Sequence, residues 1–161
     1  MAAATAPHFH IESYRDPANP TPAGWIGSKD GTRRDFCKVD ANGYIDQAAA
    51  AGAVAAAVRV APLLNDVAST VLADSEDAKK VTYKPCTDED YITLPMITSG
   101  TDFVTFQSVA NTRVGDLIGL ARRTAGDYCW DSTGTDYARV VSVDVAAGLI
   151  TAVLLATMRL P

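Results

Sequence analysis

Histidine and cysteine are scarce in this chain of 161 residues, which has two of the first and three of the second. Cys37, Cys86 and Cys129 stand far apart, with no CxxC or CxxH pair to hold two ligands of one metal. Buried free thiols in a reducing compartment are therefore expected, and no cofactor or metal. His8 and His10 would point the same way from a strand, but no third ligand lies near them in sequence. A serine or cysteine nucleophile needs a rigidly held base, and both histidines fall in the stretch least able to provide one. Neither a GxSxG elbow nor a phosphate-cradling P-loop occurs. The expectation is a protein without catalytic residues.

Positive charge is also in deficit. Lys plus Arg number 14 against 19 Asp plus Glu, giving a net charge of -5 and a pI near 4.8. Nucleic-acid binding calls for the opposite balance and is disfavoured. Long apolar runs are missing too: residues 48–58 and 149–158 both fall short of the roughly 20 apolar residues that span a bilayer. The opening MAAATAPHFHIESYRD has no basic segment followed by an apolar one, so it reads poorly as a signal peptide. A soluble chain, made in the cytoplasm and bound to no membrane, is the expectation.

What the chain does have is 48% hydrophobic residues, enough for one core. Residues 1–30 read as an extended N-terminal arm, because Pro7, Pro17, Pro20 and Pro22 lie among Ala, Gly, Asn and Thr. Phe9, Ile11, Tyr14, Trp25 and Ile26 give that arm more apolar matter than a passive linker needs, so they are the candidate binding anchors. Residues 31–161 read as one β-barrel domain.

Within it, residues 34–39 alternate as a strand, and Asp40, Ala41, Asn42 and Gly43 supply a tight turn before Tyr44 and Ile45, which predicts a hairpin. Asp40, Asn42, Gly43 and Asp46 share part of a calcium loop but lack its distal Glu, and the turn suffices to explain them. Residues 47–60 suit either a helix, for their alanines, or a strand, for Val54, Val58 and Val60. Strand or loop from about 53 to 60 is preferred. Pro62 with Leu63, Val67 and Val71 at i, i+4 and i+8 predicts one short helix over 62–73, followed by a charged loop over 74–80.

From Val81 onward, short β-type runs at 81–83, 91–94, 103–109, 116–120, 137–145 and 149–158 are separated by turn residues. The fold class expected is mainly β: a small β-barrel, β-tulip-like, or a sandwich, with one short helix and the extended arm. In 137–145, Arg139, Val141, Val143 and Val145 share one face, which is expected to look inward with Arg139 at the rim. Residues 149–158 are expected to form a central strand or a subunit contact.

Asp131 to Gly134 resembles an aspartic-protease element with one residue too many and no second copy, so a turn is the expectation. Gly134 to Arg139 faintly echoes a motif of trimeric dUTPases. Arg122 and Arg123 can contact phosphate or carboxylate, but in an acidic chain they are expected to be solvated or paired with a neighbouring subunit. Phe103, Phe106, Tyr128, Trp130 and Tyr137 are expected in the core or an interface.

The hairpin VDANGYIDQA, VGDLIGLARR, GDYCWD and RVVSVDVAAGLITAVLL together resemble the decoration, or cement, proteins of tailed bacteriophage capsids over residues 34–160. That resemblance implies a non-enzymatic virion protein, often a homotrimer, that binds the outer surface of the major capsid protein lattice and stabilises the head. It brings no catalytic residues with it. Other phage structural components, such as a head fibre base or tail tube, are the alternative, and a small trimeric nucleotide hydrolase is a more distant one.

Overall fold

The computed structural model describes residues 22–24, 31, 35–39, 45–64, 66, 80–97 and 105–161. The protein is mainly β, with eleven strands and one 3-10 turn among these residues. The strands are β1 (Pro22–Gly24), β2 (Phe36–Val39), β3 (Ile45–Gln47), β4 (Gly52–Ala53), β5 (Ala61–Pro62) and β6 (Lys80–Thr82). They continue as β7 (Ile92–Ile97), β8 (Leu117–Arg122), β9 (Tyr128–Asp131), β10 (Ala138–Asp144) and β11 (Leu149–Leu154).

Five strands close a ring in the order β10, β11, β7, β9, β8 and back to β10. All neighbours are antiparallel except β7 and β9, which run parallel. One edge of β8 does double duty, since Leu117 and Ile118 pair with β10 while Ala121 and Arg122 pair with β4. Closure leaves these five strands without a long open edge, the feature that makes isolated sheets prone to aggregate.

Alternation explains the core. Ile92, Leu94 and Met96 of β7, Ile118 and Leu120 of β8, Tyr128 and Trp130 of β9, and Ile150, Ala152 and Leu154 of β11 point into the barrel and form its main cluster. The opposite faces of β7, β8 and β9 present Ile97, Ala121 and Cys129, which Phe106 covers. A third cluster, Cys37, Ile45, Ala61, Leu63, Tyr83 and Leu160, lies against the three-stranded sheet β3-β2-β5. Strand β2 links the two bodies because Phe36 looks into the barrel cluster and Cys37 into the other.

The expected hairpin at 34–45 is present, with Cys37, Lys38 and Val39 opposite Gln47, Asp46 and Ile45. Its turn at 40–43 lies outside the described residues, as does residue 44. Residues 53–60 are strand and loop, as preferred, and β11 is central, between β10 and β7.

Three expectations fail. No helix starts at Pro62: Ala61 and Pro62 form β5, and Leu63 bridges to Tyr83. Leu63 is buried, and its N–H donates to the Asp35 carbonyl at 2.8 Å, so tertiary pairing outweighs the helical pattern. Pro62 is tolerated because β5 is the edge strand of its sheet. The rest of that expected helix, from residue 67 on, is outside the described residues. Residues 105–109 form no strand; they lie over the Ile97 cluster, held by a 2.7 Å bond from the Gln107 N–H to the Met96 carbonyl.

The third failure is the facing of β10. Ala138 and Val140 are buried, while Arg139 and Val141 are exposed. The register with β11 then shifts between Val140 and Ser142, a bulge that returns Val143 to the edge of the core. A guanidinium at position 139 could not share an inward face with valines without burying its charge.

The arm contributes a strand. Pro22, Ala23 and Gly24 pair antiparallel with Thr82, Val81 and Lys80. The anchors Phe9, Ile11, Tyr14, Trp25 and Ile26 lie outside the described residues.

Candidate functional site

The outward turn of Arg139 creates the most coherent surface on the barrel. Arg139 is paired in register with Leu117 of β8 on one side and Val153 of β11 on the other, so the three side chains form a row across the outer face of three strands. Val141, two residues on, extends the row and is 39% exposed, and Leu117 is 42% exposed. Near it the tip of the turn before β8 carries Val114 at 70% exposure, the largest value among the exposed apolar residues described. Arg139 is anchored by a 3.1 Å bond from its guanidinium to the Gly115 carbonyl.

A shallow cleft of about 330 Å³ runs beside this row, lined by Tyr91, Arg139, Val141, Val153, Leu155 and Arg159 among others. Arg159 is fixed by Asp88 and by the Leu154 carbonyl, the latter at 2.9 Å from its Nε. The cleft mixes the apolar side chains of Val141, Val153 and Leu155 with the guanidinium of Arg139 and the Arg159–Asp88 ion pair. Scattered exposed valines are ordinary on a monomer, but a row of apolar side chains around an arginine, beside a cleft, has the composition of a contact surface. A second, more polar cleft of about 450 Å³ lies between residues 107–112 and the start of β8, with Gln107, Asn111, Thr112, Asp116 and Ser132 on its walls.

The candidate basic pair behaves differently from expectation. Arg122 is 4% exposed and ends β8 on the inward face. Its Nε donates to the Gly126 carbonyl at 2.9 Å, and its Nη1 reaches Gln47 Oε1 at 3.3 Å and the carbonyls of Ala49 and Ala50 at 3.4 and 3.3 Å. It also lies over the Tyr128 ring, 5.7 Å from its centre. Arg123 pairs with Asp127 at 2.7 Å in its own chain and stacks 4.1 Å over Phe106. Arg122 is therefore neither solvated nor free for a ligand, and it ties the 47–50 segment to the β8–β9 hairpin.

Of the aromatics expected in the core or an interface, Phe103 lies outside the described residues, and Phe106, Tyr128, Trp130 and Tyr137 are in the core or packed against it. Trp130 and Tyr137 are fully buried. The Trp130 indole N–H donates to the Ile150 carbonyl at 3.0 Å. The Tyr137 hydroxyl lies 2.7 Å from both the Ala55 and Val58 carbonyls, holding a turn in which Ala57 adopts a φ of 66°. Tyr128 donates to the Phe36 carbonyl at 2.9 Å and meets the Phe36 ring edge-on at 5.4 Å. Burial pushes the Tyr137 phenol up to about 12 and moves Tyr128 upward too.

Asp131 to Gly134 is the turn it was expected to be. Asp131 Oδ1 accepts from the Thr133 N–H at 3.0 Å, and the turn is packed so closely that a Cβ on Gly134 would sit 2.7 Å from Asp131 Oδ2. Asp46, the described member of the partial calcium pattern, caps the Gln47 N–H at 2.8 Å and faces Lys38 at 3.6 Å.

All three cysteines are buried free thiols, and burial pushes each up to about 12, so none is a thiolate near neutral pH. Among the described residues no group of three His, Cys, Asp or Glu could hold a metal ion. No helix among them is long and apolar enough to cross a membrane.

Comparison of the chain with models of protein families, with curated proteins and with solved structures finds no match.

The row missed by sequence reasoning, Leu117, Arg139, Val141 and Val153, left one usable signal: the arginine in phase with the valines marks the solvent side.

Proposed function

We propose that this protein is a non-enzymatic structural component of a tailed-phage virion, binding the outer surface of the major capsid protein lattice and stabilising the head. The observation that supports this most is the outer row of Leu117, Arg139 and Val153 with Val141 beside it, displayed on a closed barrel filled by Trp130 and Tyr137. A rigid body presenting apolar side chains around a central arginine suits attachment to a broad, preformed surface.

The N-terminal segment would add the second attachment. Its residues 22–24 already use main-chain pairing with β6, and the same mode would let the anchors at Phe9, Ile11 and Tyr14 engage a lattice neighbour. Many identical contacts on one shell would offset the entropy of ordering such a segment. On the capsid the protein would act as a homotrimer, and its acidic charge would keep free subunits apart before attachment.

Co-sedimentation with expanded, undecorated heads of the phage that encodes it tests the function. Saturable pelleting with the heads is expected. Protein that stays in the supernatant at all head concentrations overturns the reading, and thermal stabilisation by a nucleotide would redirect it to a hydrolase.

A further inference from the structure

Lys84 and Asp90 are both 2% exposed and in direct contact through Nζ and Oδ1. Two charges so thoroughly removed from water gain little from remaining an ion pair, because desolvation offsets most of their attraction. Both groups are held in place. The Lys84 N–H donates to the Pro62 carbonyl at 2.9 Å, Pro85 restricts the backbone of Lys84 before it, and the Asp90 N–H closes a turn onto the Thr87 carbonyl at 3.3 Å.

The other carboxylate oxygen has a distinct environment. Asp90 Oδ2 accepts from the Thr87 N–H at 2.7 Å and from the Thr87 hydroxyl at 3.2 Å. One oxygen thus faces a proton source and the other faces two donors, the division of labour that acyl transfer to an amine requires.

We propose that Lys84 and Asp90 condense into an intramolecular isopeptide bond. The ammonium passes one proton to Oδ1, leaving a neutral amine beside a carboxylic acid. The Nζ lone pair attacks Cγ, and the electrons of the C=Oδ2 bond move onto Oδ2, where the two Thr87 donors receive the charge. A second proton moves from Nζ to Oδ1. Collapse of the intermediate re-forms the C=Oδ2 bond, breaks the Cγ–Oδ1 bond and expels Oδ1 as water, leaving an amide that keeps one hydrogen on nitrogen. Nothing is oxidised or reduced and no co-reactant is consumed. Fixed proximity supplies the drive that free lysine and aspartate lack in water. The product closes a loop from 84 to 90 beside the small core of Tyr83, Leu63 and Leu160, independently of what the outer row binds.

Mass spectrometry of the purified, fully denatured chain tests this. The peptide containing residues 84–90 is expected to be lighter than its sequence by one water, to give no main-chain fragments that separate position 84 from position 90, and to survive hydroxylamine, which cleaves a succinimide. A peptide of full sequence mass after prolonged incubation of the folded protein overturns the proposal, as does hydroxylamine sensitivity. Asp90→Ala is expected to keep the full mass. Thr87→Val, confirmed as folded by circular dichroism, is expected to lose water more slowly by on the order of tenfold or more. An unchanged rate in that variant overturns the role of the Thr87 donors.

Discussion

Trp130 and Ile150 are joined through the barrel interior: the indole N–H of one donates to the main-chain carbonyl of the other at 3.0 Å, although β7 separates their strands. The bond fixes the orientation of the largest fully buried side chain and satisfies a carbonyl with no access to water. Trp130→Phe keeps most of the volume and loses the donor, so a loss of about 2–3 kcal/mol is expected. Urea unfolding with an unchanged slope and a lower midpoint is the measurement. An unmoved midpoint would show that the bond adds nothing.

Arg122 is the second point where one side chain holds separate segments together. Arg122→Lys retains the charge but has no planar fork to reach Gly126, Ala49 and Ala50 at once. A cost of about 2 kcal/mol is expected from hydrogen bonds to a charged donor, which for a chain of this size means a fall in Tm of several degrees. The loss should be the same at low and high salt, because the site is buried.

Alkaline pH should unfold the protein earlier than a chain with exposed thiols. Burial raises Cys37, Cys86 and Cys129 from an ordinary 9.0 to about 12. Above pH 9 the unfolded thiols ionise while the folded ones do not, so the unfolded state binds fewer protons and stability falls as pH rises. The stabilising contribution is complete below pH 9 and is lost between 9 and about 12, with Tyr137 adding to the loss from 10 upward. Denaturant midpoints measured from pH 7 to 11 check this. In the same range, thiol reagents should label the native protein slowly and the unfolded protein fully.

Removal of the N-terminal segment should have two outcomes, depending on where the cut falls. Deleting residues 1–21 leaves β1 paired with β6 and is expected to leave Tm unchanged within a degree or two. Deleting residues 1–30 removes that pairing and is expected to lower Tm. If both truncations behave alike, β1 contributes nothing to stability.

On the proposed lattice-binding function, Val141→Asp and Leu117→Glu are expected to fold normally, because both side chains face solvent. They should weaken co-sedimentation with heads by about tenfold or more if they sit at the centre of the contact. Val145→Asp, on a residue 60% exposed next to the β10–β11 turn, is the control expected to bind as the parent does.

Much of the barrel was legible because its β-type runs are separated by turn residues and β11 keeps a strict alternation. The β10–β11 pair could be read from spacing and a glycine-bearing turn, and Gly148 does adopt a φ of 70° there. What could not be read depended on distant partners. Leu63 has the spacing of a helix face but is claimed by the Asp35 carbonyl and by Tyr83. Phe106 stands in a run with strand composition but is used to cover Cys129 and Ile97. The facing of β10 was misread although Arg139 marks its solvent side, because three valines share that arginine's phase and the bulge after Val140 shifts the later ones. The outer row, the candidate contact surface, was hidden by that same error.

Strand β7 takes β11 on one side and β9 on the other, and β10 meets both β11 and β8. A growing chain that has made β7 therefore holds one edge of it open until β9 is made at Tyr128–Asp131 and the other until β11 is made at Leu149–Leu154. Nascent β7 is apolar along most of its length, so it is open to wrong partners during that interval, and the ring cannot close before β11 is made.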